Sequence, residues 1–343
     1  MHVHRFLMIG IAMLVLGAAV IPAAAQEREV VNVYSARHYG AMEAAFTAFT
    51  DATGIEVRLS QGSAQSILER LRAEGTQTVA DLYFTIDAGG LGLAAAEGLL
   101  QPVDSEIISA AVPEDLRDPE NRWFAVSQRM RTIMYNPSEV DPSELSTYAQ
   151  LADPMWKGRL CMRPATHIYT ISLVGALIND LGEEAAEAVV AGWVANEPTY
   201  IDSDSRILET IAAGGCDVGL TNHYYLARLL SQDPTFPVRL FWANQGEDER
   251  GVFRNVSGAG VTAAAVNRDN AVRLLEWMVT DGQAADQTGI PGGNFEFPVN
   301  PNAELNPIIA DFGEFTIDPI ALSSYGEVQE ASLALLERAG YGF

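Results

Sequence analysis

Cysteine is nearly absent from this 343-residue chain: Cys161 and Cys216 are the only two. Neither belongs to a CxxC pair, which argues against dithiol redox catalysis and a cysteine-rich zinc site. Basic residues are also scarce. Lys and Arg number 21 against 45 Asp and Glu, leaving a formal net charge of −24. Phosphate contacts need clustered cations, so no nucleic-acid partner is expected, and docking on anionic lipid is disfavoured. HExxH, GxSxG, the Walker GxxxxGK[ST] and a strand-linked GxGxxG are all missing, and Gly258-Ala259-Gly260 is too short for a phosphate loop. With no catalytic motif present, the chain is not expected to be an enzyme. Beyond residue 25, no apolar run is long enough to span a bilayer.

What is present is a chain with 48% hydrophobic residues, enough to bury one large core or two moderate ones. Its first 25 residues stand apart. One Arg precedes the apolar run 6–20, and the small residues Pro22-Ala23-Ala24-Ala25 follow it. This pattern predicts a secretory signal peptide cut before Gln26, and hence an exported protein. In an oxidising compartment the two Cys suggest one disulfide, the alternative being two buried thiols.

Strand-like and helical patterns alternate. Strands are expected at 30–34, 55–59 and 81–86, and helices at 41–52, 63–73 and 89–98. That order predicts an α/β fold with a mainly parallel sheet. Two longer β-prone runs, 123–135 and 252–265, read as strands that leave one sheet and enter another. The expected architecture is therefore two α/β lobes joined by two crossing strands, with a ligand cleft between them.

Three of the five His lie beyond residue 25, and each sits within two residues of a Tyr. His38 precedes Tyr39, His167 precedes Tyr169, and His223 precedes Tyr224 and Tyr225. All three clusters fall at joints leading into helices, where an α/β sheet places its ligand crevice. Free phenols titrate near 10, so gathered tyrosines call for a hard cation that displaces the proton. Tyrosinate and imidazole both suit iron, whereas calcium prefers carboxylates and carbonyls. Ordinary packing of aromatic side chains is the competing explanation. Three or four phenolates around Fe(3+) leave a charge near zero or −1, which a nearby Arg would stabilise. Arg129, Arg131 and Arg228 are the candidates, surface ion pairing being the alternative.

The chain also resembles a known family. Its segments VYSARHY (33–39), ADLYFTIDAG (80–89), GLLQPV (98–103), LRDPENRWFAVSQRMRTIMYN (116–136), LSTYAQLADPMWKGRLCMRP (145–164), HIYTISL (167–173), NHYYLARLL (222–230), NVSGAGV (255–261) and FEFPVNP (295–301) follow the order and spacing of the FutA/FbpA-type iron(III)-binding periplasmic proteins. These are the substrate-binding components of iron ABC transporters. The resemblance implies a type II periplasmic binding protein fold, with two crossing strands as a hinge and iron in the interlobe cleft. Its implied segmentation is a signal peptide at 1–25, a first lobe of 28–128 with 255–300, and a second of 129–254 with 301–343.

Carried over by motif, the metal ligands are His38, Tyr39, Tyr169, Tyr224 and Tyr225. Arg129 lies behind them, and Cys161 and Cys216 form a disulfide. His167 stands where Asn is usual, and His223 where Thr is usual; neither replaces a ligand. The implied function is a periplasmic receptor, a monomer, that binds Fe(3+) as cargo, with Fe(2+) left open, and delivers it to an inner-membrane ABC permease. The alternative is a receptor of the same fold for a small organic cation of polyamine or thiamine type, without metal.

Overall fold

The structure is a computed structural model describing residues 29–37, 41–283 and 294–342. The signal peptide expected at 1–25 and the ligands expected at His38 and Tyr39 lie outside the described residues.

The strand–helix alternation is realised. β1 (Val30–Ser35) leads to α1 (Ala41–Thr53), β2 (Glu56–Gln61) to α2 (Ala64–Glu74), and β3 (Leu82–Thr85) to α3 (Ala88–Ala96). β1 pairs in parallel with both β2 and β3, as crossover connections require. Helix starts carry the expected caps: Ser63 accepts from the Ser66 amide, and Asp87 from the Gly90 amide. After α4 (Glu106–Ala111), the run expected at 123–135 forms one twelve-residue strand, β4 (Phe124–Tyr135).

A second group follows, with β5 (Leu160–Met162), α5 (Ile168–Leu181), α6 (Glu183–Ala195), β6 (Thr199–Tyr200), α7 (Asp204–Ala212), β7 (Val218–Asn222), α8 (His223–Gln232) and β8 (Arg239–Phe241). The second long run contains β9 (Arg254–Val261), followed by α9 (Arg268–Val279) and β10 (Phe297–Pro298). A C-terminal helix, Gln329–Arg338, packs against α5.

The strands form one sheet in the order β2-β1-β3-β9-β4-β7-β5-β6, with β8 and β10 also paired to β4. β4 serves both halves. Its first part pairs with β9, from Phe124↔Ala259 to Met130↔Arg254, and its second with β7, from Arg131↔Asn222 to Tyr135↔Val218. The expectation of a mainly parallel sheet needs correction. Pairing is parallel among β1, β2 and β3 and among β5, β6 and β7, but antiparallel around β4 and β9. One strand leaves the first half and the other returns, so they run in opposite directions.

The glycines of the 258–260 motif make that crossing possible. A Cβ on Gly258 would lie 2.7 Å from the Phe124 carbonyl oxygen, and one on Gly260 would lie 2.5 Å from that of Arg122. Their role is therefore close backbone packing.

Trp123, Trp156 and Trp193 are fully buried, along with Phe49, Phe84 and Phe124. Each such phenylalanine contributes about 1.5–3 kcal/mol when taken out of water. Cys161 on β5 is joined to Cys216, just before β7, with a Cα–Cα distance of 5.9 Å. The thiol alternative is thus set aside. At the chain's end, the Tyr341 ring packs edge-on against Tyr200, its hydroxyl donates to the Arg163 carbonyl, and the Ala165 amide donates to the Gly342 carbonyl. The last residues are therefore fastened to the second half of the sheet, while β1 belongs to the first.

Candidate functional site

α8 starts directly where β7 stops, so its first turn stands at the carboxyl end of a strand. That turn carries Tyr224 and Tyr225. α5 starts after the loop leaving β5, and its second residue is Tyr169. Both helices present the positive ends of their dipoles here, which favours anionic side chains such as phenolates.

Three of the four tyrosines expected as ligands lie among the described residues, and these three converge. The hydroxyls of Tyr169 and Tyr224 are 3.0 Å apart, and Asn222 Nδ2 donates to the Tyr224 hydroxyl at 3.2 Å. The Tyr224 and Tyr225 rings lie 4.4 Å apart, tilted by 34°. Tyr224 is wholly buried, Tyr169 nearly so, and Tyr225 half-buried. The Arg228 guanidinium, one turn along α8, lies 5.1 Å from the Tyr224 ring and 5.2 Å from that of Tyr225.

Two arginines approach from β4 and are used differently. Arg131 lies 5.7 Å from the Tyr169 ring, but it is paired with Asp204 at 2.6 Å and donates to the Leu220 carbonyl. Its charge is neutralised there. Arg129 lies 5.2 Å from the same ring, is almost completely buried, and donates from Nη1 to Ser257 Oγ at 3.4 Å. Its Nη2 has no hydrogen-bond partner among the described residues. Burial opposes its charge, but the phenols of Tyr169 and Tyr224 and the carboxylates of Glu296 and Asp87 outweigh burial and hold its pKa above the ordinary arginine value. A buried cation with a spare donor beside two touching phenols is suited to developing negative charge.

The two histidines beside these tyrosines are engaged with the backbone. His167 caps α5, its Nδ1 accepting from the Tyr169 amide at 3.2 Å. His223 Nδ1 accepts from the Met130 amide at 3.2 Å, so the ring proton sits on Nε2 and is donated to the Phe295 carbonyl at 3.0 Å. Burial lowers the pKa of His223 to about 4. Burial, with Arg163 and Arg131 nearby, lowers that of His167 to about 3. Both rings are neutral braces that hold the tyrosine-bearing turns.

Other polar residues at the site went unassigned in the sequence. Asp87 accepts from Ser172 Oγ and from Asn255 Nδ2, each at 2.6 Å, and so joins α5 to β9. Glu296 is buried and pairs with Arg37. Both fall within quoted motifs, ADLYFTIDAG and FEFPVNP, but nothing in their spacing marks a role. Among the described residues, no group of three or more His, Cys, Asp or Glu is placed to hold a metal ion. The donor set gathered here is phenolic, which suits a hard trivalent cation better than calcium or zinc.

The comparisons with known proteins agree with this chemistry. Residues 34–285 match the family model described as bacterial extracellular solute-binding protein. The chain is 40% identical to iron uptake protein A1 of Synechocystis over 324 residues, covering 92% of this chain and 88% of that protein. It is 37% identical to iron uptake protein A2 of the same organism over 98% of both chains. Among solved structures, it is similar to Trichodesmium FutA (IdiA) in complex with iron and citrate, with a TM-score of 0.82, 38% identity, and 91% of this chain and 99% of that one covered. The ferric binding protein of Campylobacter jejuni gives a TM-score of 0.84 at 32% identity, with coverage of 91% and 99%.

Proposed function

This chain belongs to the bacterial extracellular solute-binding proteins, in their FutA/FbpA-type ferric-binding branch, with the type II periplasmic binding protein fold; from that premise we propose that it is a periplasmic receptor that takes Fe(3+) as cargo and passes it to an inner-membrane ABC permease. It acts as a monomeric transport receptor, not an enzyme. The observation that carries this reading is the Tyr169–Tyr224 hydroxyl contact of 3.0 Å beside the buried Arg129 with its unused Nη2. Tyr169, Tyr224 and Tyr225 are the phenolic ligands, and His38 and Tyr39 complete the set from the first half of the chain. The lobes are 28–128 with 255–300 and 129–254 with 301–343, and they close over the metal by bending at β4 and β9. A cleaved segment at 1–25 directs export.

The chemistry follows from charge. Each ligating phenol gives up its proton when the metal arrives, so loading releases protons and weakens as pH falls. Three phenolates balance Fe(3+), a fourth leaves −1, and Arg129 offsets that surplus where water is excluded.

Ferric citrate added to the purified protein is expected to produce a visible tyrosinate-to-iron absorption band, and metal analysis of the washed protein should find bound iron. The double variant Tyr224→Phe/Tyr225→Phe should lose the band. A colourless wild-type protein, or a double variant that keeps its colour, would overturn the proposal. Tight binding of a polyamine or thiamine-like cation by the metal-free protein would favour the organic-cation reading instead.

A further inference from the structure

The FEFPVNP motif has a place at the site that the ligand set does not explain. We propose that Phe295–Glu296 is a strap coupling the chain segment that leads into His38–Tyr39 to the helix turn that carries Tyr224–Tyr225, with Glu296 and His223 as positioning residues. The inference rests on the ligand reading above.

The strap grips each side through a different group. On one side, the Glu296 carboxylate pairs with Arg37 Nη2 and accepts from Ser127 Oγ at 3.0 Å, while Arg37 Nη1 donates to the same Ser127 oxygen at 3.3 Å. Arg37 is held by its backbone as well. Its amide donates to Ser35 Oγ, and its carbonyl accepts from Ser35 Oγ and Gln61 Nε2. Arg37 is thus a fixed post at the exit of β1, one covalent bond from His38. On the other side, the Phe295 carbonyl accepts from His223 Nε2, and His223 in turn receives the Met130 amide of β4. The Phe295 ring packs in the same apolar cluster as Tyr224.

These two grips cannot move independently. The Phe295 carbonyl belongs to the planar peptide unit that ends at the Glu296 α-carbon, so a turn that lets Glu296 follow Arg37 swings the carbonyl away from His223. The strap is also over-determined. Phe295 is buried with φ at +55°, a conformation that a bulky side chain adopts only when its surroundings enforce it. Immediately after it, Phe297 and Pro298 pair with Gln128 and Ser127 on β4, so the strap is anchored to the strand shared by both halves.

Coupling of this kind is reciprocal, and reciprocity provides the test. Residue-resolved hydrogen exchange on the iron-free, full-length protein would follow the Arg37 and Met130 amides, one at each end. Glu296→Gln should speed exchange about fivefold or more at Arg37 and also at Met130. His223→Gln should do the same at Met130 and also at Arg37. If each variant loosens only its own end, the coupling is refuted.

Should Glu296→Gln fail to fold, Phe295→Gly serves: it retains the carbonyl and Glu296 but removes the ring anchored in the Tyr224 cluster and frees φ at 295, so the strap relaxes instead of passing movement from one grip to the other. On that background the effect of His223→Gln should no longer reach Arg37, and an undiminished effect there refutes the strap. A ferric citrate titration of the wild-type protein judges the iron reading separately, since exchange in the metal-free protein does not depend on it. With iron bound, Glu296→Gln should leave the absorption band in position, because Tyr169, Tyr224 and Tyr225 are intact. It should speed iron release to a chelator about tenfold, and a wild-type release rate counts against the proposal.

Discussion

Tyr224 is the most enclosed of the gathered phenols, with Tyr169 and Asn222 at its hydroxyl and Arg228 over its ring. Removing that one oxygen leaves Asn222 Nδ2 without this acceptor and, on the proposed ligand set, takes one anionic ligand from the metal. Tyr224→Phe is expected to weaken ferric binding at least tenfold and to shift or weaken the visible band, read by competition with citrate. Arg129 acts on the same phenols through its charge. Since the phenols raise its pKa, it favours their ionised forms in return. Arg129→Met should therefore move the pH at which iron loads upward by about one unit, measured by an absorbance titration. At this scale, sequence pattern singled out Tyr169, Tyr224 and Tyr225, which the fold gathers, because scarce His residues in company with Tyr stand out. It could not tell that His167 and His223 brace the backbone, since that depends on which amide faces each ring. Asp87 and Glu296 were equally illegible, being two carboxylates among 45.

At the scale of elements, β5 and β7 illustrate what local structure supplies to the site. β5 is three residues long, and its pairing with β7 is supported by the Cys161–Cys216 bond, which closes a loop 55 residues apart in sequence. β7 ends on Asn222 and hands the chain straight to Tyr224. Replacing both Cys by Ser should lower stability by roughly 2–4 kcal/mol, seen as a lower thermal midpoint that reductant no longer changes. Most elements were legible from apolar periodicity, including both crossing strands. Strand direction in the middle of the sheet was not, because alternation along a strand carries no information about its partner. The short β6, β8 and β10 were invisible for a related reason: two or three residues set no period.

At the scale of the whole molecule, acid should act through the neutral imidazoles. Unfolded His takes up its proton near 6.5, whereas folded His223 stays neutral down to about 4 because burial disfavours its charge. The unfolded chain therefore binds more protons across that window. Stability is full well above pH 6.5 and falls as pH drops toward 4, by up to about 1 kcal/mol per pH unit from His223 alone. Urea midpoints of the iron-free protein at pH 7, 6 and 5 should decline accordingly, with a shallower slope in His223→Gln. The two-part plan behind this chemistry was legible from two long β runs separated by more than a hundred residues, and from a recognisable series of motifs.

One feature of that plan offers a practical use. β1 lies in the first half of the sheet, while Tyr341 and Gly342 are fastened to the second through Tyr200, Arg163 and Ala165. Fluorescent donor and acceptor proteins fused near Glu29 and after Phe343 would ride on opposite halves. If the halves bend at β4 and β9 on loading, as proposed, energy transfer between them would turn that motion into an optical signal, making the chain the frame of a genetically encoded iron sensor.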